Sequence, residues 1–163
     1  MLKATIHHLL PKEADNENTL TSCVFGSLEY LDMLDLLKDF LKQARMGVAG
    51  EESPDFRRKV EAIKSVEYKF WPRLKGQEPD LIITCNEGEW SLVIEAKYGA
   101  PKGIGPEETS DQKSEPPEDI GDQLAKYYIL AEEETGVKEV YLLYVTHHST
   151  FPEEDIKSSI NKL

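Results

Sequence analysis

The strongest chemical signal is three charges set around two apolar runs. Asp80 precedes Leu81-Ile82-Ile83-Thr84-Cys85, and Glu95-Ala96-Lys97 follows Trp90-Ser91-Leu92-Val93-Ile94. Both runs read as strands, and Asn86-Glu87-Gly88-Glu89 between them reads as a tight turn. With an even loop centred on Glu87-Gly88, Cys85 faces Trp90, Ile83 faces Leu92 and Leu81 faces Ile94. All six are apolar and share one face, as a core face requires. A three-residue loop would shift the register by one and break that pairing. The other face then carries Thr84 opposite Ser91, Ile82 opposite Val93 and Asp80 opposite Glu95, with Lys97 two residues further on.

Like charges directly opposed on a hairpin repel, with β-carbons about 5 Å apart. A divalent cation would relieve the two acids. One or two carboxylates plus waters suit magnesium, or manganese in its place. Lys97 then stands where it can hold or deprotonate an attacking water, or offset charge on a pentavalent phosphate. The bland alternative is a surface ion pair of Glu95 with Lys97, with Asp80 as a turn residue after Pro79.

Flanking elements must position this cluster. A helix is expected from Asp15-Asn16 to about Arg45, stopping at Gly47. Glu17, Leu20 or Thr21, Val24 and Leu28 fall on one of its stripes, so Glu17 is expected on the buried side. Ser53-Pro54-Asp55 opens a second, short helix reaching to about Lys64. Val66, Tyr68 and Phe70 alternate with Glu67, Lys69 and Trp71 as a strand ended by Pro72 and Gly76. A further helix is expected over 118–135, closed by Gly136, and on it Gln123 and Tyr127 are four apart and share a face. Residues 139–146 read as a strand, and Pro152 opens a last helix. The order α, α, β, β, β, α, β, α predicts an α/β fold with a central mixed sheet and helices on both faces.

Pro79-Asp80, a hairpin, and Glu95-Ala96-Lys97 together resemble the core motif of the PD-(D/E)XK nuclease superfamily, which includes restriction endonucleases and RecB-like exonuclease domains. Gln123-Leu124-Ala125-Lys126-Tyr127 is similar to the QxxxY helix signature of RecB-like members, and Glu17 to the acidic residue many members carry on their first helix. The matching order spans about residues 15–146. The resemblance implies a restriction endonuclease-like core and a magnesium-dependent hydrolase that cuts phosphodiester bonds, with DNA as substrate. It implies Asp80, Glu95, the Ala96 carbonyl and Glu17 as metal ligands. Lys97 would handle the water, Gln123 would orient Lys97 or substrate, and Tyr127 would contact phosphate or backbone. A catalytically silent module of the same fold, binding a protein partner or serving as a subunit of a nucleic-acid-processing complex, is the competing reading; a homodimer is a further arrangement.

Composition sets bounds. The 163 residues suffice for one domain with a sizeable core. Nineteen basic residues against 31 acidic ones give a net charge of −12, which argues against a general nucleic-acid-coating protein. The charge is uneven: seven cations against two acids from Phe56 to Lys75, eleven acids against three lysines from Pro106 to Glu139. The first stretch makes Arg57, Arg58, Lys69, Arg73 and Lys75 candidates for phosphate contact. Residues 98–118 read as a flexible acidic loop rich in Pro and Gly, a candidate lid. Two cysteines without a CxxC pair exclude a disulfide scaffold and a thiolate zinc site, and Cys85 falls on the core face. The adjacent pairs His7-His8 and His147-His148 would point to opposite strand faces, which disfavours them as ligands. No apolar run approaches a membrane span or a signal peptide, so a cytoplasmic protein without membrane association is expected. The final helix lacks a C-cap where relatives often add a strand, which reads as a domain trimmed at its C-terminus.

Overall fold

The computed structural model describes residues 17–47, 49–97, 122–137, 139–146 and 153–162. The chain order is α1 (Glu17–Tyr30), α2 (Leu34–Leu41), α3 (Pro54–Glu61), β1 (Val66–Phe70), β2 (Leu81–Cys85), β3 (Trp90–Lys97), α4 (Gln123–Thr135), β4 (Val140–Thr146) and α5 (Glu153–Ile160). The strands form one sheet in the order β1-β2-β3-β4. β1, β2 and β3 are antiparallel neighbours, and β4 runs parallel to β3, so the sheet is mixed. The connection from β3 to β4 carries α4, as a parallel pair requires.

Helices cover both faces. On one, Phe25, Leu28, Leu37, Leu41, Phe56 and Val60 pack with Leu81, Ile83, Cys85, Trp90, Leu92 and Ile94. On the other, Tyr127, Leu130 and Ala131 of α4 pack with Leu74, Ile82, Val93 and Val140. The hairpin register is the one expected from the apolar pairing: Cys85 faces Trp90, Ile83 faces Leu92 and Leu81 faces Ile94. Its loop holds Asn86 and Glu87 at φ 50° and 58°, with Gly88 at 96°. Asn86 is tied down there: its amide oxygen accepts from the Lys64 N–H and its amide nitrogen donates to the Ala62 carbonyl.

Three expectations are corrected. The single helix to Arg45 is two helices. Met33 N–H donates back to the Leu28 carbonyl and Leu31 N–H to Ser27, a helix-ending pattern around Asp32, which sits at φ 49°. Aspartate tolerates that conformation, so no glycine marks the break. The buried side of α1 holds Thr21, Ser22, Phe25 and Leu28: Thr21 and Leu28 fall where expected, but Phe25 takes the place of Val24, which is exposed. Finally, α4 begins at Gln123, with Asp122 as its N-cap accepting from the Ala125 N–H. The segment 98–118 and the pairs His7-His8 and His147-His148 lie outside the described residues.

Candidate functional site

Asp80, Glu95 and Lys97 meet where β2 begins and β3 ends. They share the sheet face of Ile82 and Val93, which α4 covers, so the polar face expected from sequence is buried. Asp80 is 8% exposed and Glu95 3%. Burying a carboxylate is costly unless it is paired and hydrogen-bonded. Asp80 Oδ2 accepts from the Ala96 N–H at 2.7 Å. Glu95 Oε1 lies 2.7 Å from Lys97 Nζ and accepts from Gln123 Nε2 at 3.3 Å.

The support around these groups is local and specific. Gln123 Nε2 also donates to the Tyr127 hydroxyl at 2.6 Å, and that hydroxyl donates to the Glu78 carbonyl at 3.2 Å. One turn of α4 is thereby fastened to the segment that leads into Asp80. Burial pushes the Tyr127 phenol well above its ordinary pKa; the neighbouring Glu95 charge adds to that rise, and the bond from Gln123 opposes it. The phenol is thus held neutral and able to donate. On the other side of Asp80, its carbonyl accepts from the Trp71 N–H at 3.0 Å. Trp71 sits at φ 47°, an uncommon conformation for a bulky residue. Its indole nitrogen donates to Asn18 Oδ1 of α1 at 3.2 Å.

The structure therefore brings together Asp80, Glu95, Lys97, Gln123 and Tyr127. Glu17 opens α1, but its side chain lies outside what is described. The basic candidates do not form one patch. α3, with Arg57 and Arg58, lies at the opposite end of the sheet: it adjoins the hairpin loop through Asn86, and Lys59 pairs with Glu139 just before β4. Lys69 projects on the α4 side of β1, opposite Ile82. Arg73 and Lys75 lie in the connection from β1 to β2, nearer the site. Each is paired: Arg57 with Glu52, Arg58 with Asp55, Lys69 with Glu67, Arg73 with Glu78 and Lys75 with Glu133.

Two supporting residues were not legible as such. Trp71 read as an alternating strand residue, and Asp122 as the interior of a longer helix. The Asp-Gln step at 122–123 is a capping signal that could have found the second.

Two carboxylates are a small donor set. Among the described residues, no group of three or more His, Cys, Asp or Glu side chains is placed to hold a metal. A hard cation that keeps most of its waters needs only one or two carboxylates, so Asp80 and Glu95 fit magnesium chemistry. Among the described residues, no helix is long and apolar enough to cross a membrane. No family model, no curated protein and no solved structure matches the chain.

Proposed function

We propose that this protein is a magnesium-dependent nuclease that hydrolyses phosphodiester bonds, with DNA as the substrate. One observation carries the reading: two buried carboxylates, a lysine and a glutamine converge under one turn of α4. Buried charges set at the end of a sheet are expensive, and such expense is concentrated at functional sites. The residue types suit phosphoryl chemistry, and their order along the chain agrees with the PD-(D/E)XK pattern.

In this reading Asp80, Glu95 and the Ala96 carbonyl hold the ion, with Glu17 supporting it. When bound, the ion supplies Lewis acidity and neutralises charge at the phosphate. The chain does the rest. Lys97, at the last position of β3, positions the attacking water and receives or releases its proton. Gln123 holds Glu95 and fixes where Lys97 can sit. Tyr127 keeps Gln123 aimed. Arg73 and Lys75, on the loop nearest the site, would meet flanking phosphates by exchanging their present carboxylate partners.

The test is calorimetric titration of Mg²⁺ and Mn²⁺ into wild type and Asp80→Asn, with plasmid and single-strand cleavage measured on the same samples. Asparagine keeps an oxygen for the Ala96 N–H and removes the charge. Metal binding and cleavage, both lost in the variant, are expected. Absence of metal binding in wild type would sink the reading.

A second reading is favoured by one observation. The basic side chains expected to meet phosphate are each engaged by a carboxylate, on a chain of net charge −12. It is a catalytically silent module of this fold that binds a protein partner. Metal binding without cleavage of any nucleic acid would favour it.

A further inference from the structure

We propose that Lys97 is the resident cation of the carboxylate pair, and that a divalent ion enters only by displacing its ammonium from Glu95. The inference rests on the metal-site reading above and concerns how that site is regulated.

The geometry is that of an occupied place. Lys97 Nζ lies 2.7 Å from Glu95 Oε1, and the two side chains are only 13% and 4% exposed. The same oxygen accepts from Gln123 Nε2, and Oδ2 of Asp80 accepts from the Ala96 N–H. Most lysine–carboxylate pairs lie in solvent and contribute little. This one is buried, where a carboxylate that keeps its charge without a cation is severely destabilising.

A magnesium ion sits about 2.0–2.1 Å from its carboxylate oxygens. An ion at that distance from Glu95 Oε1 would lie beside the ammonium, and two cations so close repel strongly away from bulk water. Lysine suits an exchangeable role better than arginine. Its charge is a compact point on a flexible four-carbon stem, whereas the guanidinium is a rigid fork. Lys97 is also the last residue of β3, where the stem can turn outward without breaking the ladder. The displaced ammonium then faces the space where substrate phosphate would lie, so metal entry and the exposure of Lys97 are one event.

A lysine that stands clear of the carboxylates in the metal-free site predicts that its removal leaves metal affinity unchanged. Displacement predicts that removal tightens it. The experiment titrates Mg²⁺ by calorimetry into the full chain as wild type, Lys97→Met and Lys97→Arg, with thermal unfolding of each protein with and without Mg²⁺. Lys97→Met is expected to bind Mg²⁺ at least tenfold more tightly than wild type and to gain more in Tm from it. Lys97→Arg is expected to stay within threefold of wild type. An unchanged or weaker affinity in Lys97→Met, with wild type binding metal, overturns this inference and leaves the nuclease reading standing. No binding in any of the three overturns both. If Lys97→Met does not fold without metal, recovery of its fold by Mg²⁺ supports displacement, and failure to recover at concentrations that saturate wild type overturns it.

Discussion

One phenol oxygen does two jobs at Tyr127. It accepts from Gln123 and donates to the Glu78 carbonyl, while its ring packs against Leu74, Ile82 and Val93. Tyr127→Phe keeps the ring and removes both bonds, leaving the Glu78 carbonyl without this donor. The expected cost is about 1–2 kcal/mol, read from the urea midpoint. Tyr127→Ala removes the ring as well and should cost about 3–5 kcal/mol, as buried aromatics do. If the two variants are equally stable, the ring rather than the hydroxyl is irrelevant, and the packing described for α4 is wrong. The residue-scale reading of the site was largely available from sequence. The parity of the hairpin fixes Asp80 and Glu95 on one face, and the spacing of four puts Gln123 over Tyr127. The charges at its end disguise that this face is buried. Ile82 and Val93 were the signal, since a solvated face seldom carries such residues opposite each other.

At the scale of elements, the helices differ in what they hold in place. Ser53 caps α3 by accepting from the Phe56 N–H, and Asp122 caps α4 by accepting from the Ala125 N–H. Asp122 also accepts from Ser158 of α5 at 3.2 Å. Losing either cap should cost about 1 kcal/mol, somewhat more for Asp122. Their functional effects should separate. Gln123 is the first residue of α4, so Asp122→Ala lets the turn that carries it fray. Ser53→Ala acts at the far end of the sheet. Asp122→Ala is therefore expected to weaken Mg²⁺ binding several-fold, whereas Ser53→Ala leaves it unchanged at a similar urea midpoint. Equal metal affinity in both would show that the first turn of α4 does not position the site. Element order and strand register were legible because periodicity and apolar pairing are local facts. The break between α1 and α2 was not, because Asp32 adopts a conformation that glycine would have announced. Nor was the place of Val24 on α1: Thr21, Ser22 and Phe25 are buried where Val24 is exposed, and packing rather than hydropathy decides that.

For the whole molecule, the balance of charge and burial sets the response to pH. Cys85 lies in the core with no exposed surface, and burial raises its thiol from 9.0 to about 12. Burial likewise raises Tyr68 from 10.0 to about 12, with the Glu29 charge adding to it. Tyr141 rises to about 12 through burial and through donation of its hydroxyl to Glu139. Burial raises Tyr127 as well. Each group is neutral in the folded protein at a pH where the unfolded chain has already released the proton. The unfolded state binds fewer protons there, so stability falls as pH rises. The thiol's contribution is complete below about pH 9, its unfolded value, and is lost by about pH 12; those of the tyrosines begin to fall only above about pH 10. The chain's net charge of −12 acts in the same direction, since deprotonating lysines removes the partners of its excess acids. Urea unfolding at pH 8, 9, 10 and 11 should show a level midpoint followed by a steady decline. Cys85→Ala should delay the onset towards pH 10, where the tyrosines take over. In parallel, absorbance at alkaline pH should show Tyr68, Tyr127 and Tyr141 ionising only as the protein unfolds. A midpoint that holds or rises from pH 9 to 11 would mean that these side chains reach solvent: Cys85, Tyr68 and Tyr141 on the face packed by α1 to α3, and Tyr127 on the face that carries the candidate site.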